Sequence, residues 1–170
     1  MSESMKTPPI VAFVGRSGSG KTTLLVKVIA ELNARGINVG TIKHSHHITA
    51  SAMDVEGKDS WRHKQAGASR TLLVGKERLQ MVSDHPGDLT PTELASRYMQ
   101  GVQLVLVEGY KESKGDKIEV VRAERATLPL LMPDEGMVAL ASDIPVDIGV
   151  PRFELDDPAP IADFLIERYL

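Results

Sequence analysis

Residues 15–22 read Gly15-Arg16-Ser17-Gly18-Ser19-Gly20-Lys21-Thr22, a full match to the spacing G-x-x-x-x-G-K-S/T. Each residue type there answers a need of one chemistry, the holding of a phosphate chain. Glycines let the backbone wrap an anion in conformations that side chains block. Successive backbone N–H groups then converge as a nest, and a helix opening near Lys21 adds its positive end. Lys21 suits the outer phosphates, and Thr22 can place its hydroxyl on Mg²⁺. Arg16, Ser17, Ser19 and Thr23 complete the loop that would surround the ligand. A dinucleotide loop is disfavoured, because G-x-G-x-x-G does not occur in register.

A second element complements the first. Leu104-Val105-Leu106-Val107-Glu108 is an apolar run ending in a carboxylate. An acid at the C-terminal end of a strand lies beside the ligand crevice of open α/β sheets. There it holds Mg²⁺, directly or through water, or orients an attacking water. Aspartate is the usual residue, so the longer Glu108 predicts contact through water; the plain alternative is an exposed acid at a strand end. Gly109 leaves room for close approach of a ligand.

Three further segments carry polar chemistry with more than one reading. Lys43-His44-Ser45-His46-His47 could be a solvated loop, a phosphate or nucleotide contact through Lys43 and His44, or a transition-metal site. Lys58, Asp59 and Arg62 could face a nucleotide or an acidic partner, while Asp59 could equally be a helix N-cap. Trp61 reads as packing rather than base stacking. Lys111, Lys114 and Lys117 form a basic flank, either a solvated face or a guide for a phosphorylated substrate.

The elements that must position these residues follow from hydrophobic period and punctuation. Residues 10–14 form a β-branched, buried strand. Residues 21–35 carry Leu24, Leu25, Val28, Ile29 and Leu32 at helical spacing, with Gly36 as the stop. Residues 37–43 form a second strand, so the opening is strand, loop, helix, strand, the start of an α/β domain with parallel pairing. Residues 44–57 read as an exposed loop, and a short helix runs from Asp59 to Ala66. Residues 70–75 and 77–82 form a hairpin about Gly75-Lys76. Thr90-Pro91-Thr92-Glu93 is a capping box for a helix ending at Gly101. Residues 102–107, 118–122 and 137–141 are further strands, 111–117 a loop, and Ile161, Phe164, Leu165 and Tyr169 mark a closing amphipathic helix.

Composition narrows the function classes. The chain has 170 residues, 42% hydrophobic and 25% charged, which fits a single globular domain over 1–170 with a hairpin extension near 70–82. Its net charge of −3 disfavours general nucleic-acid binding, and 4% aromatics disfavour a single-strand stacking platform. With 0 cysteines there is no disulfide scaffold, thiolate metal site or cysteine nucleophile. Residues 1–9 have no apolar core for a secretion signal, and no apolar run approaches membrane-spanning length. A cytoplasmic protein is expected, with no membrane partner.

The order of motifs resembles the molybdopterin-guanine dinucleotide biosynthesis protein B (MobB) family. The similarity rests on Phe13-Val14-Gly15 leading into Ser17 through Leu24, then Ile42-Lys43-His44, Gly57-Lys58-Asp59-Ser60, Ala66-Gly67-Ala68, Val107-Glu108-Gly109-Tyr110-Lys111 and Ala141-Ser142-Asp143. The Gly-Lys-Asp-Ser and Glu-Gly-Tyr-Lys elements make it far more specific than a phosphate loop alone. The resemblance implies a three-layer α/β phosphate-loop NTPase fold, mainly parallel, with an extended β hairpin. It further implies a GTP-binding adapter of molybdenum cofactor maturation that uses Mg²⁺ and hydrolyses GTP weakly. Such proteins are homodimers and assist the guanylyltransferase that joins GMP to molybdopterin; molybdopterin itself and molybdoenzyme maturation proteins are further implied partners. The family's phosphate loop maps to Gly15 through Thr22 and its strand-end glutamate to Glu108.

One feature departs from the usual chemistry of guanine recognition, since no N-K-x-D occurs anywhere in the chain. Asp143 could accept from a guanine ring. The combined expectation puts Lys21, Glu108 and Asp59 in catalysis, with Asp59 and Lys58 sensing the γ-phosphate. Thr22 and Glu108 organise the metal, and the loop with Lys43, Lys58 and Asp143 binds nucleotide. A small-molecule kinase is the competing class; it needs an acceptor site and arginines closing over the phosphates, for which Arg122 and Arg125 are available.

Overall fold

The computed structural model describes residues 7–45, 55–85 and 87–170. They fall into two compact units, one made of the chain up to His44 together with 90–170, the other of residues 45–89.

The larger unit is built on a six-stranded sheet. Its strands are β1 (Ile10–Val14), β2 (Val39–Lys43), β5 (Leu104–Glu108), β6 (Asp116–Val121), β7 (Met137–Ser142) and β8 (Arg152–Phe153). The order is β2-β5-β1-β6-β7-β8, and every adjacent pair is parallel. Continuous apolar runs explain the architecture, because a parallel sheet is covered on both faces. Along β1, Val11 and Phe13 point into one cluster with Leu24, Leu25, Val28 and Leu32 of α1 (Lys21–Ala34) and Ile161, Ala162 and Leu165 of α4 (Ala159–Tyr169). Ala12 and Val14 point the other way, against Ala95 and Leu94 of α3 (Pro91–Tyr98). The result is three layers, helix–sheet–helix. Each fully buried Leu or Val contributes about 1.5–3 kcal/mol.

Several boundaries differ from the sequence reading for identifiable reasons. β2 begins at Val39, because Asn38 is engaged with the turn before β5: its backbone N–H donates to Gln103 Oε1 at 2.9 Å and its Nδ2 to Gly101 O at 2.9 Å. β5 begins at Leu104 and includes Glu108 itself. α3 stops at Tyr98, short of Gly101, while its start is as expected: Thr90 Oγ1 accepts from Glu93 N–H at 3.2 Å, and Glu93 Oε2 accepts from Thr90 N–H at 2.8 Å. β6 starts at Asp116, inside the expected loop, which removes Lys117 from the basic flank. Its side chain is buried, and Nζ donates to Glu135 O at 2.9 Å. β8 has only two residues, too few for a periodic signal. Glu119, a buried acid inside β6, accepts the N–H groups of Leu130 at 2.7 Å and Leu131 at 2.9 Å, which offsets the cost of its desolvation.

In the unit of residues 45–89, helix α2 (Asp59–Gln65) packs on β3 (Arg70–Val74), which pairs antiparallel with β4 (Leu79–Ser83). The expected hairpin is therefore present, closed by Gly75 N–H donating to Arg78 O at 2.8 Å. The N-cap of α2 is Lys58, not Asp59, and it makes no side-chain cap; Asp59 stands in the first turn, 3.9 Å from Arg62. Cross-strand pairs Leu72–Met81 and Val74–Leu79 share one face of the hairpin. Leu72, Val74 and Leu79 are more than half exposed.

Candidate functional site

The phosphate loop lies where the sequence places it, between the C-terminal end of β1 and the first turn of α1. A Cβ on Gly15 would lie 2.3 Å from Val120 O on the adjacent strand, so only hydrogen fits there. Gly20 caps α1 in the left-handed region at φ 91 and offers no side chain to the first-turn N–H groups. That turn also lacks acidic residues. Its orphan donors and positive helix end therefore remain for an external anion.

Lys21 folds over its own loop, donating to Gly15 O at 3.0 Å and Arg16 O at 2.7 Å. Burial lowers its pKa, Glu108 opposes that, and the Lys43 ammonium lowers it further; the net shift is downward. Ser19 is buried, and its Oγ has no hydrogen-bond partner. A buried hydroxyl without a partner costs free energy, and a phosphate oxygen would satisfy it. Arg16, Ser17, Gly18, Thr22 and Thr23 are exposed around it.

Parallel register brings the second set of groups to the loop. Glu108 at the end of β5 stands opposite Phe13 of β1 and Lys43 of β2. Its Oε1 accepts from Thr22 Oγ1 at 2.7 Å and from Lys43 Nζ at 3.0 Å. Burial pushes the Glu108 carboxyl up, but the hydrogen bonds from Thr22 and Lys43 and the two lysine charges outweigh it. The pKa is held below the ordinary value. Glu108 is thus ionised and buried against the loop, not a free acid at a strand end. A hydroxyl and a carboxylate converging in this way are hard oxygen donors suited to Mg²⁺. The glycine cradle and the orphaned Ser19 hydroxyl likewise fit a polyphosphate.

Other expected site residues fare differently. Asp143 is exposed, and its Oδ1 accepts from Ala123 N–H at 2.7 Å, so one oxygen is engaged in holding the turn after β6. Lys58 and Asp59 belong to the unit of residues 45–89 and are exposed. His44 stacks obliquely on Tyr110, ring centroids 4.5 Å apart, while its N–H donates to Glu108 O at 3.0 Å. Tyr110 has φ 56, left-handed for a residue with a side chain, just beyond Glu108 and Gly109. His46 and His47 lie outside the described residues. Among the described residues no group of three or more His, Cys, Asp or Glu is placed to hold a metal.

Sequence reasoning left two arginines with the kinase alternative, yet both lie against the loop. A Cβ on Gly20 would come within 3.2 Å of Arg122 Nη2, and one on Gly18 within 3.2 Å of Arg125 Nε. The signal was available as Arg-Ala-Glu-Arg directly after a strand, but only the pairing of β1 with β6 shows which loop it meets.

A parallel sheet of this order, with a glycine-rich phosphate loop joining its central strand to a helix, defines the phosphate-loop NTPase fold. Comparison with known proteins narrows the class. The family model described as "Molybdopterin guanine dinucleotide synthesis protein B" matches residues 10–143, and the chain belongs to this MobB family. It is 43% identical over 163 residues to the molybdopterin-guanine dinucleotide biosynthesis adapter protein of Haemophilus influenzae, covering 95% of this chain and 89% of that protein. It is 39% identical to the Escherichia coli adapter protein of the same name, covering 94% and 92%. The crystal structure of Bacillus subtilis MobB superposes with a TM-score of 0.75 at 27% identity, over 95% of this chain and 98% of that one. Among the described residues no helix is long and apolar enough to cross a membrane.

Proposed function

We propose that this chain is a GTP-binding adapter of molybdopterin guanine dinucleotide biosynthesis. It binds Mg·GTP at residues 15–22, hydrolyses it slowly, and assists the guanylyltransferase that joins GMP to molybdopterin. The observation that carries this reading is the convergence of Thr22, Lys43 and Glu108 beside a glycine cradle with an orphaned Ser19 hydroxyl. In that arrangement Lys21 neutralises the outer phosphates, and Thr22 and Glu108 organise Mg²⁺ and its water, whose role is charge stabilisation at the phosphates. The relatives' names supply the pathway. A slow hydrolytic step would act as a timer for the adapter's association.

The homodimer belongs to the same reading. The hairpin face bearing Leu72, Val74, Leu79 and Met81 is apolar, with the first three exposed and Met81 half-buried in the single chain, and a twofold contact would cover it with its own copy. Molybdopterin and molybdoenzyme maturation proteins are the other partners proposed.

Calorimetric titration of GTP, ATP and CTP, with and without Mg²⁺, tests the nucleotide assignment. GTP should bind with Mg²⁺-enhanced affinity, and Lys21→Ala should lose about 100-fold in GTP affinity but far less in GMP affinity. Equal losses for the two ligands would show that Lys21 does not meet the outer phosphates. Adding the chain to a molybdopterin guanylyltransferase should raise product yield. Turnover that instead requires a small-molecule acceptor would assign the kinase class.

A further inference from the structure

We propose that Arg122 and Arg125 bind the phosphate chain of the nucleotide, forming with Lys21 a three-cation cradle supplied entirely within one chain. The inference rests on the nucleotide-binding reading and adds two ligand-contacting residues to it.

The argument begins with position. β6 is hydrogen-bonded alongside β1, with Val14 opposite Glu119, so the residues following Val121 emerge next to the phosphate loop. Arg122 and Arg125 take the space above Gly20 and Gly18, each 3.2 Å from where a Cβ would stand. Both glycines have positive φ, 91 and 75, so the loop bares backbone there while the guanidiniums lie over it.

The positive groups gathered at the loop suit an anionic ligand. The first turn of α1 presents positive partial charge, Lys21 adds a full one, and the two guanidiniums add two more. Among the described residues neither guanidinium has a hydrogen bond or an ion pair. Glu108 is the acid whose charge acts on Lys21, and its Oε1 is already taken by Thr22 and Lys43. Five N–H donors on each guanidinium are fixed in a fork that matches phosphate oxygens two at a time. A polyanion in the cradle would meet these positive groups and their donors together. Arginine supplied in cis to a phosphate site is a known way of stabilising charge on the transferring phosphates.

The turn that carries the pair is built to be held still. Arg125 N–H donates to Arg122 O at 2.8 Å, and Ala126 N–H to the same carbonyl at 3.0 Å. Asp143, at the end of β7, accepts from Ala123 N–H at 2.7 Å and ties the turn to the sheet. Asp143 is therefore a positioning residue for the arginines.

The test titrates inorganic tripolyphosphate and Mg·GTP into the full chain and into Arg122→Ala, Arg125→Ala and the double variant. Each single variant should lose about 10-fold in affinity for both probes, and the double variant more, with an unchanged melting temperature for the free protein. Arg122→Lys with Arg125→Lys should recover only part of the loss, because the fork is absent. Asp143→Ala should weaken binding by a smaller factor. In arginine-labelled protein, the Nε–Hε resonances of Arg122 and Arg125 should move with tripolyphosphate at a one-to-one ratio, a change that loop packing alone would not produce. Unchanged or tighter binding by the double variant, or arginine resonances that stay still, overturns the inference while leaving the nucleotide site intact. Wild-type protein that binds neither probe overturns the nucleotide-binding reading itself.

Discussion

The sheet end that bears the phosphate loop and the hairpin of residues 70–83 treat their apolar residues in opposite ways. β1, β5 and β6 bury nearly every side chain on both faces, and the residues of the candidate site stand at their C-terminal ends on that rigid base. β3 and β4 leave Leu72, Val74 and Leu79 in solvent on a two-stranded ladder. A two-stranded hairpin is marginal in water by itself, and here α2 packs on β3. The difference teaches that buried parallel strands fix the polar groups at their ends within one chain, whereas the hairpin leaves apolar side chains exposed.

The harshest way to break the site half of this comparison is Gly15→Ala. Its methyl would collide with Val120 O, a backbone atom on β6, so strand and loop must separate. A loss of about 4 kcal/mol in urea unfolding is expected, together with loss of nucleotide binding. A variant as stable as wild type would mean that β1 and β6 are not so closely joined.

The hairpin half breaks at Leu72→Asp with Leu79→Asp. Sedimentation at micromolar concentration should show a monomer, an association loss of about 3 kcal/mol or more, while GTP titration stays unchanged. A double variant that remains dimeric places the interface elsewhere.

Glu108→Gln sharpens the comparison, since it removes charge from the site and keeps its size. GTP should still bind, with Mg²⁺-dependent hydrolysis reduced at least about 10-fold. The pH dependence follows from the depressed pKa of Glu108, set by burial opposed by Thr22, Lys43 and Lys21. A carboxyl with a lowered folded-state pKa stabilises the fold fully above its unfolded value of about 4.3. That contribution disappears as pH falls through the folded-state value. Unfolding measured from pH 6 downward should show this decline in wild type and a shallower one in Glu108→Gln. Parallel curves would mean that Glu108 carries no net charge interaction in the fold.

The mildest expected effect is at α3, on the sheet side and away from the chemistry. Thr90→Ala removes one arm of the capping box and should cost about 1 kcal/mol without altering GTP affinity. A larger effect, or any effect on affinity, would show that the helix and the site are coupled.

Much of this was legible in the residue order, and the reason is locality. The phosphate loop needs glycines, a lysine and a threonine within eight consecutive positions, and α3 needs a cap within four, so their chemistry is written in adjacent residues. β1 and β5 are apolar throughout, and that identifies buried parallel strands. What only the tertiary structure decided are the pairings between distant residues. Thr22 meets Glu108 across 86 positions and Lys43 meets it across 65, through a strand register that no local pattern encodes. Lys117, one of several surface-looking lysines in sequence, is buried by the start of β6, while Glu119 is satisfied by the backbone N–H groups of Leu130 and Leu131. The arginines after β6 reach Gly18 and Gly20 because β6 lies beside β1. Sequence specifies the reactive groups, because their types and short spacings are covalent facts. Which of them meet depends on the packing free energy of the whole sheet, which belongs to no single segment.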